Sequence, residues 1–479
     1  MRSESIGLPQ TGEWTPERVA LVGKNAGLVI AGGILVGTFA AVMQLYWVAA
    51  TLGVLIIALL VSWHFEVALV IYVMAAFVPW GGTPSLAVGG SGVGKGVYVS
   101  ELMLAFLLVI WFGKYLLRGL PANRIRSGFY VPIALYLAYC VLNVVSSYLF
   151  WDWHVSRGYQ HVEVNIIELG LHVLSGGALV MIATSISNRR WLTWMTCAVC
   201  ATGVYNLLNS VAGEPIPVQA PWWQLVTLLP VGYSWAIVLE PEQSTAKRCV
   251  AAAAVVLAML AIFVRCVAWV SGWLGLMVTI LTVTFVKNTR LFAALLVVIF
   301  FVGAAAWPFL HENVVAKSET EGDYDRFSLM LGAVKYATTF PLGVGLGNYR
   351  SYNSFHYGQL WGTTSYTSAH GTYSQHLSEM GFVGLALFLA VLASGFVWML
   401  REYRAMEPGP SKTFLLAAMG QLAGIACAAL IGDYIIPTYH NNGIRMFSAT
   451  IYSWLIWGLA IAHVRISRDE RETRAALPE

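Results

Sequence analysis

The stretch AHGTYSQHLSEMGFVG, Ala369 to Gly384, gathers two histidines and a glutamate just before an apolar run, GFVGLALFLAVLASGFVWML. Imidazole can take a proton from a hydroxyl near neutral pH, so the chemistry on offer is general-base catalysis. Continued as a helix from His370, the stretch sets Tyr373, Ser374 and Leu377 on the side of His370 and turns His376 elsewhere. His370 is therefore the candidate base, with His376 as its neighbour and Glu379 as a support for the helix start.

Cationic and backbone groups suited to an anion lie upstream. Arg265 interrupts the apolar stretch AAAAVVLAMLAIFVRCVAWVSGWLGLMVTI, at a boundary where it either snorkels to the interface or faces an anion. PLGVGLGNYR, Pro341 to Arg350, has glycines at alternate positions. Its N–H groups fit an anion-binding nest, and a helix stop with a tight turn fits the residues equally well. Arg350 and Arg326 add guanidinium donors that match phosphate geometry. Asp323 and Asp325 make a DxD, a spacing that can hold a divalent metal, but acidic loops are ordinary and no metal or other cofactor is assigned. GGSGVGKG, Gly89 to Gly96, mimics a nucleotide loop but has Gly96 where the magnesium-binding hydroxyl belongs. Cys197 and Cys200 form a lone CxxC inside an apolar run and read as helix packing.

The elements that must position these groups are membrane helices. The chain has 479 residues, of which 58% are hydrophobic and 11% charged, and a mean hydropathy of +0.68. Soluble chains average about 25% charged, which excludes that class. Apolar runs at 26–44, 47–63, 66–80, 98–117, 129–149, 164–187, 191–211, 222–240, 249–264, 266–286, 291–309, 380–400, 413–432 and 446–464 give 12–14 spans, the first three being short enough to merge. Twenty of the 28 Lys and Arg residues fall on one side if the N-terminus is cytoplasmic, which puts both termini inside. The expected order is a tail at 1–25, helices over 26–309, a large outer loop at 310–379, helices over 380–464 and a tail at 465–479. A loop of about seventy residues far exceeds what joining two spans requires, so function is sought on the outer face.

Taken together, Arg265, the helix after Arg326, PLGVGLGNY and AHGTYSQHLSEMGFVGLALFL resemble the signature of the O-antigen ligase and polymerase superfamily, whose blocks pair a glycine turn with a histidine block entering a span. FVRCVAWVSGWLGL is similar to the family's Ser-Arg-Gly-x-Trp block, with Val264 and Cys266 in place of its Ser and Gly, and Gly371 stands where Asn is common. The resemblance implies an all-α polytopic fold, a glycosyltransferase-C-like helical bundle in the bacterial inner membrane with a periplasmic active site. It implies transfer of a glycan from undecaprenyl diphosphate to a hydroxyl of lipid A–core (ligase) or of another lipid-linked repeat (polymerase), without metal and without nucleic acid. By position, His370 would be the base and Arg265 would hold the diphosphate. The further mid-chain arginine expected of ligases is absent from SVAGEPIPVQAP, leaving Arg326, Arg350 or Arg445 to substitute, with Tyr373 beside them. A flippase or exporter of lipid-linked glycans is the alternative from another class. It needs charges deep in several spans, where only Glu101 and Glu168 stand out.

Overall fold

The computed structural model describes residues 57–58, 60–76, 99–118, 127–157, 161–211, 223–265, 269–312, 323–356, 368–439 and 446–476. Among them there are helices and no strand. The helices are α1 (Phe65–Ala75), α2 (Val99–Arg118), α3 (Tyr130–Leu149), α4 (His161–Ser185), α5 (Arg189–Val211), α6 (Leu228–Val238), α7 (Thr245–Arg265), α8 (Val270–Lys287), α9 (Thr289–Leu310), α10 (Asp323–Thr339), α11 (Tyr349–His356), α12 (Thr372–Ala405), α13 (Pro410–Ala428) and α14 (Phe447–Ala476). Nine of the described helices are long and apolar enough to cross a membrane, and Phe65–Ala75 and Leu225–Val238 are shorter apolar helices. In lipid, a spanning segment must satisfy its backbone internally, which is why so apolar a chain resolves into helices. The protein is an all-α polytopic membrane protein.

The expected span 26–44, most of 47–63 and the GGSGVGKG loop lie outside the described residues. The run at 191–211 is helical, as α5, but is not among the nine, because Asn206, Asn209 and its threonines dilute its apolar character. The run at 222–240 divides into a 3-10 turn, Trp223–Thr227, and the short α6.

Two compact units account for the chain, one comprising residues 1–68 with 109–120 and the other residues 69–108 with 121–479. In the second unit the apolar part of α14 is wholly buried and packs on α4, α5 and α13. Its tryptophans bury without orphaned donors: Trp454 Nε1 donates to the Ile435 carbonyl (3.0 Å) and Trp457 Nε1 to Gln421 Oε1 (2.9 Å). By contrast, Thr289–Pro308 of α9 buries none of its length.

The feature that positions the histidine block is a break in α12. Gly381 has φ 65° and ψ −167°, so the helix kinks between Met380 and Phe382. A kink strands the carbonyls one turn back, and here the glycine turn before α11 meets them. The Val344 N–H donates to the Ser378 carbonyl (3.0 Å) and the Gly345 N–H to the Glu379 carbonyl (2.8 Å). In return the Phe382 N–H donates to the Pro341 carbonyl (3.2 Å). Asn143 of α3 stitches both parts: Nδ2 donates to the Leu342 (3.0 Å) and Glu379 (3.1 Å) carbonyls, while Oδ1 accepts from the Leu346 N–H (2.9 Å).

Candidate active site

His370 precedes α12 with a φ of 47°, the one positive value at a non-glycine among the described residues. Such a conformation costs about 1–3 kcal/mol and persists only where the surroundings enforce it. They do so from both sides. Ala369 is fully buried and its N–H donates to Gln375 Oε1 (2.9 Å), while the His370 N–H donates to Ser368 Oγ (3.3 Å). After Gly371, the Thr372 N–H donates to the carbonyls of Ala429 (3.1 Å) and Gly432 (3.2 Å). The start of α12 is thus closed by the carbonyl end of α13, and the His370 side chain stays half-buried at that junction. Helix begins at Thr372, not at His370 as the sequence reading has it, because the left-handed residue ends it there.

The segment after α13 ties the other elements to this junction. Thr372 Oγ1 donates to the Gly432 carbonyl (3.1 Å). Two residues on, the Tyr434 hydroxyl accepts from Trp269 Nε1 (2.9 Å) and lies 2.7 Å from Ser271 Oγ. Trp269 follows Arg265, the last residue of α7. At its far end the segment is held by Glu168 of α4, whose Oε1 accepts the Tyr439 N–H (2.5 Å). The start of α8, a few residues beyond Arg265 in the chain, and the start of α12 are therefore tied to one connecting segment.

Arg326 falls in the first turn of α10 beside Asp323 and Asp325, and Arg350 is exposed on α11. Arg445 lies outside the described residues. Tyr373 turns toward α13, where its hydroxyl donates to the Ala426 carbonyl (2.7 Å). The nest reading of PLGVGLGNYR is corrected. Gly343, Gly345 and Gly347 all have positive φ, but the N–H groups of the turn are taken by the chain's own acceptors. The Glu379 carboxylate accepts from the backbone N–H groups of Gly347 and Tyr349. Glu379 thus supports the start of α11 rather than that of α12.

His376 is buried between helices. Its Nδ1 lies 2.6 Å from the Thr372 carbonyl, which can only accept, so Nε2 accepts from the Tyr136 hydroxyl at 2.6 Å. His172 lies nearby, its ring tilted and its centroid 5.7 Å from that of His376. Sequence reasoning missed Tyr136 and Asn143 of α3. A lone Asn within an apolar span was the available signal for Asn143, whereas nothing distinguishes Tyr136 before its partner is known.

These features define a polytopic helical membrane protein with a histidine held under backbone strain where several helix ends converge. Residues 224–389, about a third of the chain, match the family model Wzy_C, described as O-Antigen ligase, and are in that stretch similar to an O-antigen ligase. That stretch contains Arg265, Arg326, Arg350, His370 and Tyr373, and it supports glycan transfer of the ligase or polymerase type. No curated protein matches the chain.

Proposed function

We propose that the protein transfers a glycan from undecaprenyl diphosphate to an acceptor hydroxyl at the periplasmic face of the inner membrane, the acceptor being lipid A–core. The observation that carries this reading is His370, strained and half-buried at the junction of α12 and α13. Strain kept at one side chain in the matched stretch supports a chemical role for it.

The acceptor oxygen attacks the anomeric carbon while the bond from that carbon to the diphosphate oxygen breaks. His370 takes the hydroxyl proton, and the electron pair leaves on the diphosphate. Arg265 stabilises the charge that develops there, with Arg350, Arg326 and Arg445 as further donors and Tyr373 lining the same helix start. The leaving group brings the energy, so no nucleotide is needed. The exporter alternative draws little support, because, of its two carboxylates, Glu168 accepts the Tyr439 backbone N–H and Glu101 accepts the Ser100 hydroxyl.

The test is transfer by purified protein given a polyprenyl-diphosphate glycan and either lipid A–core or a second lipid-linked repeat. We expect His370→Ala and Arg265→Ala each to lower kcat by about 10²–10⁴-fold in folded protein. Full activity of His370→Ala would remove the base assignment. Product formed only with the lipid-linked repeat would make the enzyme a polymerase.

A further inference from the structure

The connection between α3 and α4 carries chemistry that the transfer step leaves unused. Its sequence, WDWHVSR over Trp151 to Arg157, alternates flat rings with charged and hydrogen-bonding groups. Trp153 is 83% exposed, and its ring centroid lies 3.5 Å from that of His154. Beside it, Asp152 Oδ1 accepts from the His154 N–H (3.0 Å) and lies 2.9 Å from His154 Nδ1. The Arg157 guanidinium sits 5.1 Å over the Trp151 ring.

This segment is built rather than loose. Trp151 Nε1 donates to the Val155 carbonyl (2.8 Å), and the Val155 N–H donates back to the Asp152 carbonyl (3.0 Å). The Asp152 N–H donates to the Tyr352 hydroxyl of α11 (3.1 Å). Val155 is buried in one cluster with Tyr349, Tyr352 and Ala369, the residue before His370. A fixed surface of rings and charges therefore adjoins the candidate base.

We propose that Trp151–Arg157 is a saccharide-binding subsite, taking one sugar ring of a glycan substrate against Trp153, with Asp152 and Arg157 holding its hydroxyls. A sugar has an apolar face of C–H groups and a rim of hydroxyls. A flat indole suits the first, and an acceptor-only carboxylate together with a donor-only guanidinium on the same segment suits the second. The His154 backbone N–H holds the Asp152 carboxyl below the usual carboxylate range, so it remains an acceptor at neutral pH. A tryptophan at a membrane boundary also serves as a lipid anchor, but an anchor has no use for the neighbouring Asp152 carboxylate, held on His154, which repels anionic headgroups.

This subsite rests on the glycan-transfer reading for the identity of its ligand, and binding can be measured apart from transfer. Full-length protein in nanodiscs would be titrated with a lipid-free oligosaccharide from the host surface glycan, and assayed for KM toward donor and acceptor separately. We expect Trp153→Ala and Asp152→Asn to weaken oligosaccharide binding and raise one KM about tenfold, with the loss in KM rather than kcat. Whichever KM moves names donor or acceptor as the source of the ring. Trp153→Tyr should restore binding and Trp153→Leu should not. Equal rescue by Leu would overturn the subsite in favour of a lipid anchor, and unchanged binding by Trp153→Ala would overturn it outright. His370→Ala should keep oligosaccharide binding while losing transfer, so failure of the base leaves the subsite separately judged.

Discussion

His370 joins two properties that substitution can separate, a left-handed backbone and an imidazole. Glycine adopts that φ without penalty, so His370→Gly should unfold later than His370→Ala, by about 1 kcal/mol in thermal or denaturant melts, while both lose transfer. Equal stability of the two variants would show that the strain is not borne at this residue. The buried histidine makes a different prediction. His376 Nε2 accepts from Tyr136, so Tyr136→Phe leaves a buried nitrogen unpaired and should cost about 1–3 kcal/mol in the same melts. Adding His376→Phe should recover part of that loss, since removing both partners costs less than removing one. The six-residue spacing separates the two histidines only if one helix runs through both, whereas α12 begins at Thr372, so the burial of His376 between helices was not legible from it. Nor was the strain at His370, because it follows from carbonyls at Ala429 and Gly432, some sixty residues away in the chain.

The kinked α12 and the glycine turn work as one element. A Cβ on Gly343 would lie 2.1 Å from the Glu379 carbonyl oxygen, and one on Gly381 would lie 2.0 Å from that of Pro341, each at a positive φ. Gly343→Ala and Gly381→Ala should therefore lower the yield of folded protein and its melting temperature sharply, together with activity. Gly170→Ala in α4, where a Cβ meets nothing within 4 Å, should be neutral or slightly stabilising. Comparable losses from all three would mean that the turn is not docked. From PLGVGLGNYR alone, a nest and a tight turn were equally good readings. What decides between them is the acceptor for each N–H, and beyond the local carbonyls of Phe340 and Gly345 those acceptors belong to Asn143, Ser378 and Glu379. A local pattern records that a backbone must bend; it does not record what waits on the other side of the bend.

Across the whole molecule, helix direction alternates so that the 150–157 connection and His370 fall on one side, and the 406–409 connection and the end of α14 on the other. In the orientation expected from the Lys and Arg bias, the latter side faces the cytoplasm. Single cysteines at Ser156 and Glu407, in a chain otherwise free of cysteine, should then react with an impermeant thiol reagent from opposite faces of sealed cells, Ser156→Cys from outside. Labelling of both from one face would remove the orientation. Most long apolar helices were legible from composition, because length and hydropathy are local quantities. The short α6 was less so, since Thr227 and the 3-10 turn before it divide a run that reads as continuous. One helix has a consequence for the protein's surroundings. At about 1.5 Å per residue, the twenty residues of Thr289–Pro308 span about 30 Å, the thickness of a hydrocarbon core, and none of them is buried among the described residues. Beside its contact with α8, where Phe285 meets Phe292, α9 therefore offers more of its surface to acyl chains than α14 does, so short-chain detergents should weaken this helix before they disturb the buried α14.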